Sequence, residues 1–248
     1  MKISIITVVR NGAATIEQTI QSVQQQSYKN IEHILIDGDS DDHTMEIVNR
    51  HKAHFAKIIS EQDAGLYDAM NKGISHATGD VIGILNSDDI YQDETILAQV
   101  AKVHSDLELD ACYADLVYVQ ANDLSKVVRN WQSCDYTPGL CFNGWMPAHP
   151  TLFLKKHVYQ QVGKFDTKLK FQADLEFCAR MFEVHKINSQ YVAKLWVRMR
   201  TGGVTNNNLK NILLGNWESY QALKQHGLKA NPFKYFSIKF VSRIKQYF

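Results

Sequence analysis

In VIGILNSDDIYQD, residues 81–93, five residues suited to burial run straight into Asn86, Ser87, Asp88 and Asp89. A short, continuous apolar run that ends in turn formers is the pattern of a strand buried on both faces of a parallel sheet. The adjacent carboxylates repel each other unless something neutralises them, so the stretch predicts a strand and also a counter-charge at its exit.

Outward from this strand the same alternation repeats. Ile3 to Val9 is an apolar run of strand length, followed by a helical stripe through Ala13, Ile16, Ile20 and Val23. Ile31 to Ile36 reads as a second strand, with Ser40 as the cap of a helix carrying Met45, Val48 and Phe55. Ile58 and Ile59 mark a short third strand, and Leu66, Met70, Ile74 and Ala77 stripe the next helix. After Val81 to Leu85 a helix follows through Ile96, Val100 and Val103. Strand and helix alternating at this spacing predict an α/β fold with a mainly parallel sheet and helices on both faces.

Ligands of such sheets bind outside the carboxyl ends of the strands. The four exits are Arg10-Asn11, Asp37-Gly38-Asp39, Asp63 with Gly65, and Asn86-Ser87-Asp88-Asp89, all polar and three of them acidic. Turn formation and helix capping suffice to explain Asp41, Asp42 and Asp93. They explain three acidic exits on one rim less well, because two charges about 4 Å apart interact by roughly 4 kcal/mol at an effective dielectric near 20. Carboxylates without His or Cys partners favour Mg²⁺ or Mn²⁺, which keeps waters and completes its shell with a substrate's phosphate oxygens. The expected ligand is therefore phosphorylated. Neither a Gly-x-Gly-x-x-Gly after the first strand nor a P-loop is present, which removes the main support for dinucleotide binding and P-loop hydrolysis.

Composition narrows the classes further. With 27 Lys and Arg against 26 Asp and Glu in 248 residues, net charge gives no support for nucleic acid as partner. Cys112, Cys134, Cys141 and Cys178 form no Cys-x-x-Cys pair and read as buried, reduced thiols of a cytoplasmic protein. The N-terminal apolar run is short and broken by Arg10 and Asn11, so it reads as a strand and not as a secretion signal. No stretch of about 20 apolar residues is available to span a bilayer.

Two segments, ISIITVVRNGAATIEQTIQSVQQQSYKNIEHILIDGDSDD and EQDAGLYDAMNKGISHATGDVIGILNSDD, resemble in order and spacing the nucleotide-sugar-binding half of family 2 glycosyltransferases of GT-A fold. The resemblance covers roughly the first hundred residues and continues more faintly to Gly203. It implies a GT-A domain over 1–205, with a nucleotide-sugar half (1–105) and an acceptor half (106–205), followed by a helical extension (206–248). It also implies that Thr7, Val9 and Asn11 line the nucleoside pocket, that Asp37 accepts from the base with Asp63 nearby, and that Asn71 and Lys72 face the donor. Met70 stands where relatives often carry Arg, and Lys72 is the candidate for the missing charge. Asn86 takes the first place of a motif that commonly reads Asp-x-Asp-Asp. It and Ser87 are assigned to the donor, and Asp88 and Asp89 to Mn²⁺ or Mg²⁺, with Asp89 also a candidate for capping or outer support.

In the second half, VGKFDTKLKFQADLEFCARMF resembles the segment in which an acidic pair opens a helix, with Ala173 in place of the first acid. Asp174 is thereby the candidate base of an inverting transfer and Glu176 the fallback. His149 is a candidate acceptor contact, and Met199 to Asn208 could close over donor. Beyond Glu218 no acid occurs, and Phe233, Phe236, Phe240 and Ile244 share a stripe among lysines. Residues 224–248 accordingly predict either peripheral contact with an anionic membrane, on the inner face of the plasma membrane, or a helix packed on the domain or on a second copy in a homo-oligomer. The resulting expectation is transfer from a UDP-sugar to a hydroxyl of a lipid-linked glycan in bacterial surface polysaccharide synthesis, such as O-antigen or capsule. The alternatives are a nucleotide-sugar-binding scaffold, suggested by Asn86 and Ala173, and a sugar nucleotidyltransferase, against which the single glycine of VVRNGAAT argues.

Overall fold

The computed structural model describes residues 1–202 together with Leu214, Gly215, Trp217, Glu218, Tyr220, Gln221, Lys224 and Tyr235. Its organising element is β1 (Ile3–Val9), buried along its whole length. It pairs in parallel with β2 (Ile31–Asp37) from Ile3 opposite Ile31 to Val9 opposite Asp37. On its other side it pairs in parallel with β4 (Val81–Ile84), from Ile3 opposite Val81 to Ile6 opposite Ile84. A third parallel strand, β3 (Lys57–Ser60), lies outside β2. Beyond β4 the sheet continues through β8 (Phe153–Lys155), β6 (Ala111–Gln120), β9 (Ser189–Arg200) and β5 (Asp89–Tyr91), while β7 (Asp123–Trp131) pairs with β6. One sheet thus runs through both halves of the described chain.

Side chains alternate across β1 and so feed both faces. Ile6 and Val8 pack with Tyr67, Met70 and Ile74 of α3 (Leu66–His76). Ile3 and Ile5 pack with Ile96, Leu97 and Val100 of α4 (Ile96–Val103). Val9 joins Ile16 and Ile20 of α1 (Ile16–Gln24) and Val48 of α2 (Thr44–Arg50). Gly73 permits the closest helix–strand approach, since a Cβ there would stand 2.3 Å from Ile6 Cγ2. The acceptor half adds α5 (Lys156–Val162) and α6 (Ala173–Ala179), which runs on into a π-helical turn at Arg180–Val184.

Several local expectations are corrected. Ser40 does not cap α2; its hydroxyl donates to Asp37, and the helix starts only at Thr44. Phe55 lies beyond a 3₁₀ turn after α2, and Ala13 precedes α1. The expected stripe of α3 is buried at Met70, Ile74 and Ala77, but at the helix start Tyr67 is buried in place of Leu66, which is half exposed where the helix begins after the positive-φ Gly65. β4 leads to the short β5, which pairs with β9, before α4 begins. Met199 and Arg200 belong to β9 and not to a loop, Thr201 and Gly202 follow it, and residues 203–208, like the stripe from Phe233 to Ile244, lie outside the described residues. Cys134 is exposed, whereas the other three thiols are buried.

A carboxylate fastens the strand starts. Glu32, buried on β2, accepts from the Ser4 and Thr78 hydroxyls and from Thr78 N–H (2.7 Å), and it pairs with Lys2 at 3.0 Å. Burial alone would push its pKa up, but these donors bring it down to about 2. A depressed carboxyl pKa stabilises the fold above its ordinary value near 4.5, and that contribution fades as pH falls through about 2. Glu32→Gln is expected to cost about 3 kcal/mol at pH 7 in urea unfolding, narrowing steadily as the pH approaches 2. A gap that stays constant over that range contradicts the assignment.

Candidate functional site

The parallel register delivers the exits of β1, β2 and β4 to one rim. Asn11 takes a positive φ of 54° at the first exit. Its N–H donates to Ser40 Oγ at 2.8 Å and its Oδ1 accepts from Asp41 N–H at 3.0 Å, which ties the first exit to the second. Asp37, fully buried at the end of β2, accepts from the Ser40 and Ser60 hydroxyls and from Ser40 N–H. Asp63 comes to the same place from the third exit: a Cβ on Gly38 would meet Asp63 Oδ2 at 2.9 Å, with Arg10 alongside. Thr7 and Val9, by contrast, are core residues. The Thr7 hydroxyl is 3.0 Å from His33 Nε2, and burial pushes the His33 pKa down to about 3.

Two further donor candidates on α3 are engaged within the protein. The Asn71 amide donates to Phe165 O (2.9 Å) and accepts from Phe165 N–H (3.0 Å), clamping α3 to the acceptor half. Lys72 reaches Asp63 at 2.6 Å, Glu61 at 2.9 Å and Asp68 at 3.5 Å, and it also donates to Gln62 O. These contacts raise its pKa and make it the tether of the third exit loop.

At the fourth exit the chain turns sharply, with Asp89 N–H donating to Asn86 O at 3.1 Å and the Thr19 hydroxyl of α1 holding the carbonyls of Ser87 and Asp89. Ser87 faces Gly12 at the first exit, where an added Cβ would stand 3.2 Å from Ser87 Oγ. Asp88 is partly accessible, and burial pushes its pKa up against the opposing charges of Arg200 and His149. Asp89 is sealed, with neither carboxylate oxygen paired by a regular hydrogen bond to a described residue, and burial together with the Asp88 charge pushes its pKa far up. Arg200, at the end of β9, donates to Asp88 O at 2.6 Å and also to Gln18.

Across this turn stands the acceptor half. His149 Nε2 is 3.1 Å from Asn86 Nδ2. Burial lowers the His149 pKa while the charges of Asp174 and Asp88 oppose the shift, so the ring lies within the field of both carboxylates. Asp174 opens α6 as expected, partly accessible, and its Oδ1 accepts from Tyr67 OH at 3.2 Å and from Leu175 N–H at 2.9 Å. Glu176 is buried and gripped by Arg180 Nε and NH2, both at 2.8 Å, which takes it out of contention as the base. Sequence reading missed Tyr67, Arg200 and Gln18. Only the tyrosine left a signal, standing one turn before Asn71 on the same helix.

A divalent cation is tested by this donor set. Among the described residues no three His, Cys, Asp or Glu side chains converge on one point. What this turn offers among the described residues is one accessible carboxylate, Asp88, backed by a sealed second one whose oxygens find no partner among them. That set fits Mg²⁺ or Mn²⁺ bound by a single protein carboxylate and completed by phosphate oxygens and water. Asp89, being sealed, offers no accessible ligand atom.

Residues 4–161, more than half of the chain, match the model of glycosyl transferase family 2, and the chain belongs to that family. Over 104 residues it is 39% identical to an uncharacterized glycosyltransferase of Mycobacterium tuberculosis, an overlap of 42% of this chain but only 40% of that relative's length. A PGL/p-HBAD biosynthesis glycosyltransferase of Mycobacterium bovis is 26% identical over 200 residues, spanning 76% of this chain and 73% of the relative. Among solved structures, S. aureus TarS 1–349 in complex with UDP-GlcNAc aligns with TM-score 0.68 at 16% identity, over 88% of this chain and 66% of that one. Mannosyltransferase PcManGT from Pyrobaculum calidifontis, in complex with GDP-Man and Mn²⁺, gives 0.68 at 17% identity over 97% and 69%. At such identities the likeness establishes the fold, which is GT-A.

The Lys72 tether has a direct readout. Lys72→Met is expected to speed amide exchange at Gln62 to Gly65 while leaving the exchange of β1 unchanged. Unaltered exchange in that loop contradicts the tether.

Proposed function

We propose that this chain is an inverting glycosyltransferase that moves a sugar from a nucleoside-diphosphate donor, UDP-linked, to a hydroxyl of a lipid-linked glycan in bacterial surface polysaccharide assembly. The observation that carries the reading is His149, which is hydrogen-bonded to Asn86 and acted on by the charges of both Asp88 and Asp174. A carboxylate of the acceptor half therefore stands beside the rim that holds donor phosphates. UDP-GlcNAc in TarS and GDP-Man with Mn²⁺ in the mannosyltransferase support a nucleotide-sugar donor and a dication.

In this reading Asp37 and Asp63 receive the nucleoside and Asn86 and Ser87 border the diphosphate. Asp88 holds the cation, which neutralises charge on the departing diphosphate when bound. Asp174 takes the proton of the acceptor hydroxyl as its oxygen bonds to the anomeric carbon, and the electron pair of the broken bond leaves with the diphosphate. Attack from the side opposite the leaving group inverts the anomeric centre. Among the described residues no helix is long and apolar enough to cross a membrane, and residues 224–248 supply the peripheral contact in this proposal.

Release of nucleoside diphosphate from a panel of nucleotide sugars with Mn²⁺ tests the reading. Asp174→Asn is expected to lower turnover by about a hundred-fold or more while leaving donor binding intact. Binding with no turnover, indifferent to that substitution, identifies a nucleotide-sugar-binding scaffold instead.

A further inference from the structure

The base assigned above has a neighbour from the other half of the molecule. Tyr67 is the second residue of α3 and only 7% exposed, and its hydroxyl donates to Asp174 Oδ1 at 3.2 Å. The same oxygen also takes the Leu175 N–H, whereas Asp174 Oδ2 takes no hydrogen bond from a described residue. Oδ1 is thus committed to the protein and Oδ2 is left for a ligand. The tyrosine is itself held in place: its ring packs on Phe165 with centroids 5.6 Å apart, and Phe165 packs in turn on Phe177 of α6 at 4.9 Å. One turn further along α3, Asn71 grips both backbone groups of Phe165. Burial pushes the Tyr67 pKa well up, so the phenol remains a donor across the working range of pH.

We propose that Tyr67 is a positioning residue for the transfer: by occupying Asp174 Oδ1 it fixes the carboxylate so that Oδ2 meets the acceptor hydroxyl. This rests on the assignment of Asp174 as base. During the step the hydroxyl proton passes to Oδ2, the acceptor oxygen bonds to the anomeric carbon, and the bond to the diphosphate breaks with its electron pair on the leaving group. The Tyr67 proton does not move. Because the tyrosine comes from the helix that follows the donor-side third exit, the nucleotide half fixes the orientation of a base carried by the acceptor half.

A core tyrosine whose hydroxyl merely needs a partner would give the same contact, and a double-substitution cycle separates the two cases. Turnover of a UDP-sugar with Mn²⁺ is measured for the unaltered protein, Tyr67→Phe, Asp174→Asn and the pair, with UDP affinity and melting temperature alongside. Tyr67→Phe is expected to lower kcat about ten-fold with donor KM and UDP affinity unchanged, and to cost nothing further once Asp174 is Asn. The same fractional loss in both backgrounds, or an unchanged kcat, overturns the positioning role while the base assignment stands. Full turnover by Asp174→Asn overturns the base assignment itself, and the positioning role with it.

Discussion

The structure depends on the parallel pairing of β1 with β2 on one side and β4 on the other. The ladders start level at Ile3, Ile31 and Val81 and run in one direction, β4 ending at Ile84 and β1 and β2 three residues further on at Val9 and Asp37, so that the polar exits are delivered to one rim. A slip of one residue would turn Ile6 and Val8 away from α3 and move Asp37 to the other face. The seven buried positions of β1, with packing partners on both faces, make such a slip costly.

That packing forces an electrostatic problem onto the rim. Asp88 and Asp89 stand just beyond a buried strand, and Asp89 is sealed with no hydrogen bond from a described residue on either oxygen. Arg200 acts on both through space, while its NH1 and NH2 donate to the Asp88 carbonyl and Gln18. Burying a carboxylate without a partner costs several kcal/mol or forces it to hold a proton. A dication held at Asp88, as proposed, would offset the negative charge of this turn, with Asp89 remaining buried behind it. His149 then joins this turn to Asp174, and α3 joins the nucleotide half to the same carboxylate through Tyr67 and Asn71.

The fold was legible in the sequence because its central strands are buried on both faces, which writes them as unbroken apolar runs. Helix faces and caps were less legible, since they depend on where a helix begins. A start at Leu66 turns Tyr67 inward, and Asp37 draws Ser40 away from any cap. The strand exits bring Asp37, Asp63, Asn86 and Asp88 to one rim, but burial, which no spacing reveals, seals Asp37 and Asp89 within it. Thr7 and Val9 share the β1 exit by sequence, yet they point into the sheet's own core. Lys72 reads as a free charge in DAMNKG, and only the fold brings three carboxylates to it. Arg200 and Gln18 were illegible because they lie 182 positions apart and meet only through the β5–β9 pairing.

The most direct measurement is calorimetric titration of UDP into the protein with and without Mn²⁺, repeated with Asp88→Ala. If the anionic turn is a cation site completed by diphosphate, Mn²⁺ tightens UDP binding by about ten-fold or more in the unaltered protein and has no effect after the substitution. UDP affinity that is indifferent to Mn²⁺, or a Mn²⁺ effect that survives Asp88→Ala, contradicts the account.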